Sequence, residues 1–230
     1  MPHIEYSRYC VAFLDILGFK NLIGTESANT IHGIFRNIRH AKKLIRGNTE
    51  KDDRWSQIVK KTKIYFFSDS IVIAIPMTEP MAFELVASHC MLLQHTLWFY
   101  GLPTWIRGGI AIGDLYCGRS EVFGPALIDA YTLEGTIARH PRIVMRESTY
   151  QTGINNSVDK EDIIFISQQP DDLRMVETLK YFDYEPQRSN LLQVIRDTIK
   201  TETNSRILEK FHWIAEYPGI DLAEPDANKY

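Results

Sequence analysis

The sequence predicts an α+β fold: a ferredoxin-like βαββαβ unit extended at its C-terminal end by further strands and helices. Three observations predict it. Up to Ile112 the apolar patterning runs strand, helix, strand, strand, helix, strand, an order that gives one sheet with helices on one face. Two of those strands meet at Ser68-Asp69-Ser70, a turn-like interruption that suits a hairpin. Finally, 230 residues with 44% hydrophobic and 24% charged content can bury one full core. That excludes disordered, collagen-like and disulfide-stapled chains.

The first strand is Tyr9 to Leu17, an apolar run holding a single acid and ending at Gly18. From Ala28 to Ile45 apolar residues recur at helical spacing (Ile31, Ile34, Phe35, Ile38, Ala41, Ile45), and Gly47-Asn48 closes the helix. Glu50 to Asp53 reads as a charged loop. The hairpin strands are Ile58 to Phe67 and Ile71 to Pro76. Pro80 opens a long apolar helix reaching to about Tyr100. A strand over Trp105 to Ile112, a helix over Gly124 to Ala138 and a short strand over Arg142 to Met145 complete a core of residues 1–146. Polar Glu147 to Asp162 reads as a loop or boundary leading to a C-terminal segment, 147–230. There the pattern predicts strands near Ile163 to Ile166 and Tyr181 to Tyr184. A helical tail from Ser189 to Tyr217 then packs on the core.

Composition narrows the function classes. Twenty-six Lys+Arg against 29 Asp+Glu give a net charge of −3, so no global field draws nucleic acid or an anionic membrane. The three cysteines, Cys10, Cys90 and Cys117, have no paired spacing and read as reduced packing residues. No secretory signal pattern opens the chain, and the longest apolar stretch is broken by Gln94 and His95. The expectation is a soluble, cytoplasmic protein. The histidines lack zinc-ligand spacing, and phosphate-loop, dinucleotide and hydrolase-elbow motifs are absent.

The informative residues are two acids. Asp15 and Asp69 each interrupt an apolar strand context, where a lone carboxylate is costly unless something pairs with it. In a βαββαβ sheet the first strand lies beside the hairpin, so the two carboxylates can converge on a divalent metal. Hard oxygen ligands suit Mg²⁺ or Mn²⁺. Gly18 follows in a turn whose N–H groups can cradle phosphate oxygens. Read without a ligand, Asp69 shapes a turn and Asp15 caps a helix. Period-two alternation puts Lys63, Tyr65, Phe67 and Asp69 on one face.

Four segments carry a resemblance. Phe13-Leu14-Asp15-Ile16-Leu17-Gly18-Phe19 resembles the first metal motif of class III nucleotidyl cyclases, and Phe67-Ser68-Asp69-Ser70 stands where that family has its second metal aspartate. Arg107-Gly108-Gly109-Ile110-Ala111-Ile112-Gly113 resembles the family's following strand, and the segment from Phe123-Gly124 to Ala130 its next helix. The four are collinear over roughly residues 8 to 146. Three positions depart from the pattern. Ile128 and Thr132 occupy the places of the Asn and Arg that stabilise the transition state in purine cyclases, and Ser68 replaces a Gly. With its short build and Trp213-containing tail, the chain is most similar to the pyrimidine cyclases of Pycsar anti-phage systems.

The resemblance implies a head-to-tail homodimer with sites at the interface, converting UTP, or else CTP, to a 3′,5′-cyclic monophosphate and pyrophosphate. The product would activate a separate effector. Two Mn²⁺ or Mg²⁺ ions per site would lie on Asp15, Asp69 and the Ile16 carbonyl, with phosphates on the backbone from Leu17 through Gly18 to Phe19. Lys63 and Glu121 match the base-pocket positions, with Tyr65 and Arg107 on the same strands. Arg139 and Arg119 are candidates to replace the missing transition-state cation. The alternatives are an adenylate or guanylate cyclase with substituted residues, and a non-catalytic nucleotide sensor.

Overall fold

The computed structural model describes residues 4–47, 58, 60–100, 104–157, 164–217, 220 and 222. Among the described residues eight strands are formed: β1 Ser7–Ile16, β2 Lys63–Phe67, β3 Ser70–Pro76, β4 Ile106–Cys117, β5 Val122–Phe123, β6 Ile143–Arg146, β7 Ile166–Gln168 and β8 Leu173–Val176. The helices are α1 Phe19–Thr25, α2 Ala28–Gly47, α3 Ala82–Phe99, α4 Pro125–Thr132, α5 Glu147–Asn155, α6 Gln187–Thr201 and α7 Ser205–Ala215. A π-helical turn, Leu133–Ile137, continues α4. None of the described helices is long and apolar enough to cross a bilayer.

The sheet runs β2-β3-β1-β4-β6-β8-β7, with β5 paired to β4. Its first four strands are antiparallel neighbours in the ferredoxin-like order. Alternation in β1 sorts the core. Cys10, Ala12, Leu14 and Ile16 pack with α2 and α3, whereas Val11 and Phe13 face Ala126 and Ala130 of α4 on the other side. The expected one-sided helix layer therefore holds for α2 and α3, and α4 covers the opposite face. Glycine permits that crossing, since a methyl at Gly109 would overlap the Ala130 carbonyl. The apolar helix α3 carries Gln94, which looked like an interruption in the sequence. It accepts from Ile106 N–H at 2.6 Å and donates to Thr104 O at 2.9 Å, pinning the start of β4.

The C-terminal segment differs most from expectation. Glu147–Asn155 is helix α5 rather than loop. Arg174 pairs with Glu147 at 2.6 and 3.2 Å, and Gly153 lies against the buried Phe83 ring; residues 158–163 lie outside the described residues. Tyr181 to Tyr184 is not a strand. Its rings plug a cluster instead, with Phe182 at 5.1 Å from Trp98. The partner of β6 is β8, which the pattern did not mark, and β7 begins only at Ile166. The helical tail is two helices broken at residues 202–204. Nearer the N-terminus, residues 58, 60 and 61 are helical, so β2 starts at Lys63. The charged loop at Glu50 to Asp53 falls outside the described residues.

Candidate functional site

Asp15 ends β1 between Ser70 on one side and Arg107 on the other. Asp69 sits in the two-residue turn closing β2 to β3, and its carbonyl accepts from Ile16 N–H at 3.1 Å. Ser68 in that turn has φ 57, the left-handed region that a glycine adopts without steric cost. Alternation thus stops at Phe67, and the turn itself delivers Asp69 to Asp15. Asp15 stands opposite Ser70, the residue after Asp69, so the two carboxyl groups are near enough to act on one another. Burial pushes the Asp15 carboxyl above its ordinary range, Arg107 opposes this and Asp69 adds to it.

Arg107 Nε lies 3.4 Å from Asp15 Oδ2 and 2.5 Å from Glu134 Oε1. Glu134 belongs to the π turn, and only 6% of its side chain is exposed. Burial raises its carboxyl too, against the pull of Arg107. Sequence reasoning missed this residue because a regular helix would not single it out; π turns shift the helical phase and recur at functional sites. Lys210 of α7 was missed as well. Burial and Arg107 lower its pKa while Asp15 raises it.

The donor set fits a divalent ion. Asp15 and Asp69 offer carboxylate oxygens. The Ile16 carbonyl faces the same turn, because a residue's N–H and C=O point to one neighbour in an antiparallel ladder. Mg²⁺ and Mn²⁺ accept one or two carboxylates and leave positions for water and phosphate. Among the described residues no group of three or more His, Cys, Asp or Glu is arranged to hold an ion alone. The remaining ligands would come from elsewhere.

Gly18 (φ 76) caps α1. The Leu17 N–H is already donated to Trp105 O at 2.8 Å, so the main-chain donors open to an anion begin at Gly18 and Phe19. The Phe19 ring itself is core, edge-on to Phe35 at 5.7 Å.

A second group occupies the other end of this sheet face. Tyr65 Oη donates to Gly118 O at 2.8 Å, and its ring lies parallel to Phe67. Cys117 lies close to Tyr65 and Tyr9, and burial pushes its thiol up to about 11; Lys63 acts on it electrostatically. Burial likewise raises the Tyr65 phenol, with Cys117, Tyr9 and Glu121 adding to the rise. Glu121 closes the turn whose Gly118 N–H donates to Glu121 O at 2.8 Å.

Lys63, Tyr65 and Glu121 are therefore brought to one region. Arg107, grouped with them by strand position, stands with the carboxylates instead. Arg119 is exposed in the β4–β5 turn and Arg139 is exposed just past the π turn; neither is ion-paired to Asp15 or Asp69. Ile128 is 65% and Tyr131 57% exposed on the outer side of α4.

No family model matches the chain, and no curated protein matches it. Solved structures match in fold. The guanylate cyclase domain of RhGC from Catenaria anguillulae, in complex with GTP, aligns with a TM-score of 0.54 at 16% identity. That alignment covers 76% of this chain and 98% of that one. A non-canonical dimeric guanylyl cyclase domain of the RhoGC fusion protein from Blastocladiella emersonii aligns at 0.52 and 15%, over 74% and 93%. The adenylyl cyclase CyaB from P. aeruginosa aligns at 0.51 and 17%, over 76% and 95%. The fold is that of class III nucleotidyl cyclase domains.

Proposed function

We propose that the protein is a metal-dependent nucleotidyl cyclase acting on a pyrimidine nucleoside triphosphate, UTP before CTP, to give the 3′,5′-cyclic monophosphate and pyrophosphate. One observation carries the reading: the sheet brings Asp15 and Asp69 together beside a left-handed Gly18 turn, within a cyclase fold. In the reaction the ribose 3′-oxygen attacks the α-phosphorus of its own nucleotide and pyrophosphate departs. Asp15, Asp69 and the Ile16 carbonyl would hold two Mn²⁺ or Mg²⁺ ions. When bound, these lower the pKa of the attacking hydroxyl and neutralise the triphosphate. Gly18 and Phe19 N–H groups orient the β- and γ-phosphates, and Arg107, already among the carboxylates, adds positive charge.

The base falls to the second group. The Lys63 ammonium donates to uracil O4 and Glu121 accepts from N3–H. With its proton given to Gly118 O, Tyr65 offers an acceptor oxygen. A base that mismatches this donor and acceptor pattern forgoes these hydrogen bonds, which is the source of discrimination proposed. A homodimer is supported by the exposed Ile128 and Tyr131 on α4; the head-to-tail arrangement comes from the family resemblance. Across that interface Arg119 or Arg139 of the second copy would meet the phosphorane charge. The Pycsar resemblance makes the product a second messenger of anti-phage defence, read by a separate effector.

A purine triphosphate is the second reading, because the neighbours are named as adenylyl and guanylate cyclases and a lysine–acid pair also suits adenine. Purified protein incubated with Mn²⁺ and each of ATP, GTP, CTP and UTP, with products identified by mass, decides. Cyclic UMP or CMP is the expected result. A cyclic purine moves the reading to the ordinary cyclases, and no product from any of the four favours a nucleotide sensor.

A further inference from the structure

Lys210 stands where an amphipathic helix has an apolar residue. Positions 210, 213, 214 and 217 of this segment follow i, i+3, i+4, i+7 and share one face. Trp213, Ile214 and Tyr217 of that face pack with Trp105, in a cluster that also takes in Phe211 and Leu17. Trp213 stacks on His140 with centroids 5.2 Å and planes 3° apart. The seam between α7 and the Trp105–Pro141–Arg142 surface leaves a cavity of only about 10 Å³.

The helix therefore rests on the two segments that build the carboxylate site. Leu17 follows Asp15 by two residues, Trp105 precedes Arg107 by two, and Leu17 N–H joins them at Trp105 O. Lys210 is half-buried one turn before Ile214. Helical side chains lean toward the N-terminus, which carries its ammonium away from the tryptophan seam. The charges of Asp15 and Arg107 both act on it. Among the described residues no ion pair engages it. A partly desolvated ammonium that Asp15 favours and Arg107 opposes gains from a neighbouring polyanion.

We propose that Lys210 is a triphosphate-binding residue of the site, supplying positive charge for the terminal phosphates from the C-terminal helix. This rests on the nucleotidyl cyclase reading. The half-buried ammonium, engaged by no ion pair among the described residues, would meet the terminal phosphate oxygens. The phosphate contact is a charge-assisted hydrogen bond, among the stronger kinds.

The test binds inorganic tripolyphosphate with Mn²⁺ by calorimetry, and Mn²⁺ alone by electron paramagnetic resonance. The full chain is compared as wild type, Lys210→Met, Lys210→Gln and Lys210→Arg. The neutral variants should weaken tripolyphosphate binding about tenfold while binding Mn²⁺ alone as tightly or more tightly; Arg should restore most of the loss. Unchanged or tighter tripolyphosphate binding in the neutral variants would overturn the assignment. So would a wild type that binds none, or a joint loss of both ligands with a lowered melting temperature, the mark of helix docking alone. The two readings fail separately. Lys210-dependent binding without a cyclic product from any triphosphate retires the cyclase, and product formation with Lys210-independent binding retires this residue.

Discussion

The sheet face under α4 has two ends, and burial treats their side chains alike. At one, Arg107 lies between Asp15 and Glu134, with Asp69 acting on Asp15; at the other, Tyr9, Tyr65 and Cys117 lie close together and Tyr65 Oη donates to Gly118 O. Burial raises Asp15 and Glu134, and it raises Cys117 and Tyr65. The consequences are opposite. A raised carboxyl holds its charge at a cost that a cation relieves, whereas a raised thiol or phenol is held more firmly neutral. One end gathers charge that a cation can balance, and the other gathers neutral hydroxyl and thiol groups.

The largest effect should come from removing an acid at the first end. Asp69→Ala should lower Mn²⁺-dependent pyrophosphate release by about a thousandfold or more while the circular dichroism spectrum stays that of the folded protein. Activity surviving that change would mean the carboxylate pair is only a turn and a cap. At the second end, a thiol at about 11 carries little thiolate at pH 8. Cys117 should then react with iodoacetamide about a hundredfold more slowly in the native protein than in the urea-unfolded chain. Peptide mass mapping reads the site directly. Native-state alkylation at the unfolded rate would refute a neutral, buried end.

The first end was half legible in the sequence and the second only by analogy of position. Asp15 and Asp69 stood out because a carboxylate in an apolar strand run demands a reason, and strand order alone brings them together. Glu134 gave no such signal: its direction comes from a π turn that helical periodicity does not foresee. Lys210 left a trace, a charge on the Trp213–Ile214–Tyr217 stripe, although only packing shows what that stripe touches. The strand misread over Tyr181 to Tyr184 arose from aromatic alternation, which ring packing around Phe182 produces equally well. Helix α5 was hidden because its exposed face is polar and one of its key contacts, Gly153, has no side chain to read.

Tyr65→Phe sharpens the contrast with a smaller change. It removes the hydroxyl that donates to Gly118 O, a loss of about 1 kcal/mol for one part-buried hydrogen bond. The KM for the preferred triphosphate should rise about fivefold, with the Mn²⁺ concentration at half-maximal rate unchanged. A shift in the Mn²⁺ requirement would show that the two ends are not chemically separate.

The smallest effect tests what keeps Arg107 from blocking the acids. Glu134 holds the guanidinium at 2.5 Å, closer than Asp15 does at 3.4 Å. Glu134→Gln should release Arg107 toward Asp15 and weaken Mn²⁺ binding by a few-fold, about the strength of one partly solvated ion pair. The same variant has a pH signature. The folded chain binds the Glu134 proton more tightly than the unfolded chain, because burial outweighs Arg107. That contribution to stability is fully present below the ordinary carboxyl value of 4.5 and is lost as pH rises through the folded value. Urea melts of Glu134→Gln should therefore decline less with rising pH, upward from 4.5, than those of the wild type. Tighter Mn²⁺ binding in the variant would make Glu134 a competitor for the ion rather than the anchor of Arg107, and the acidic end would need a different internal order.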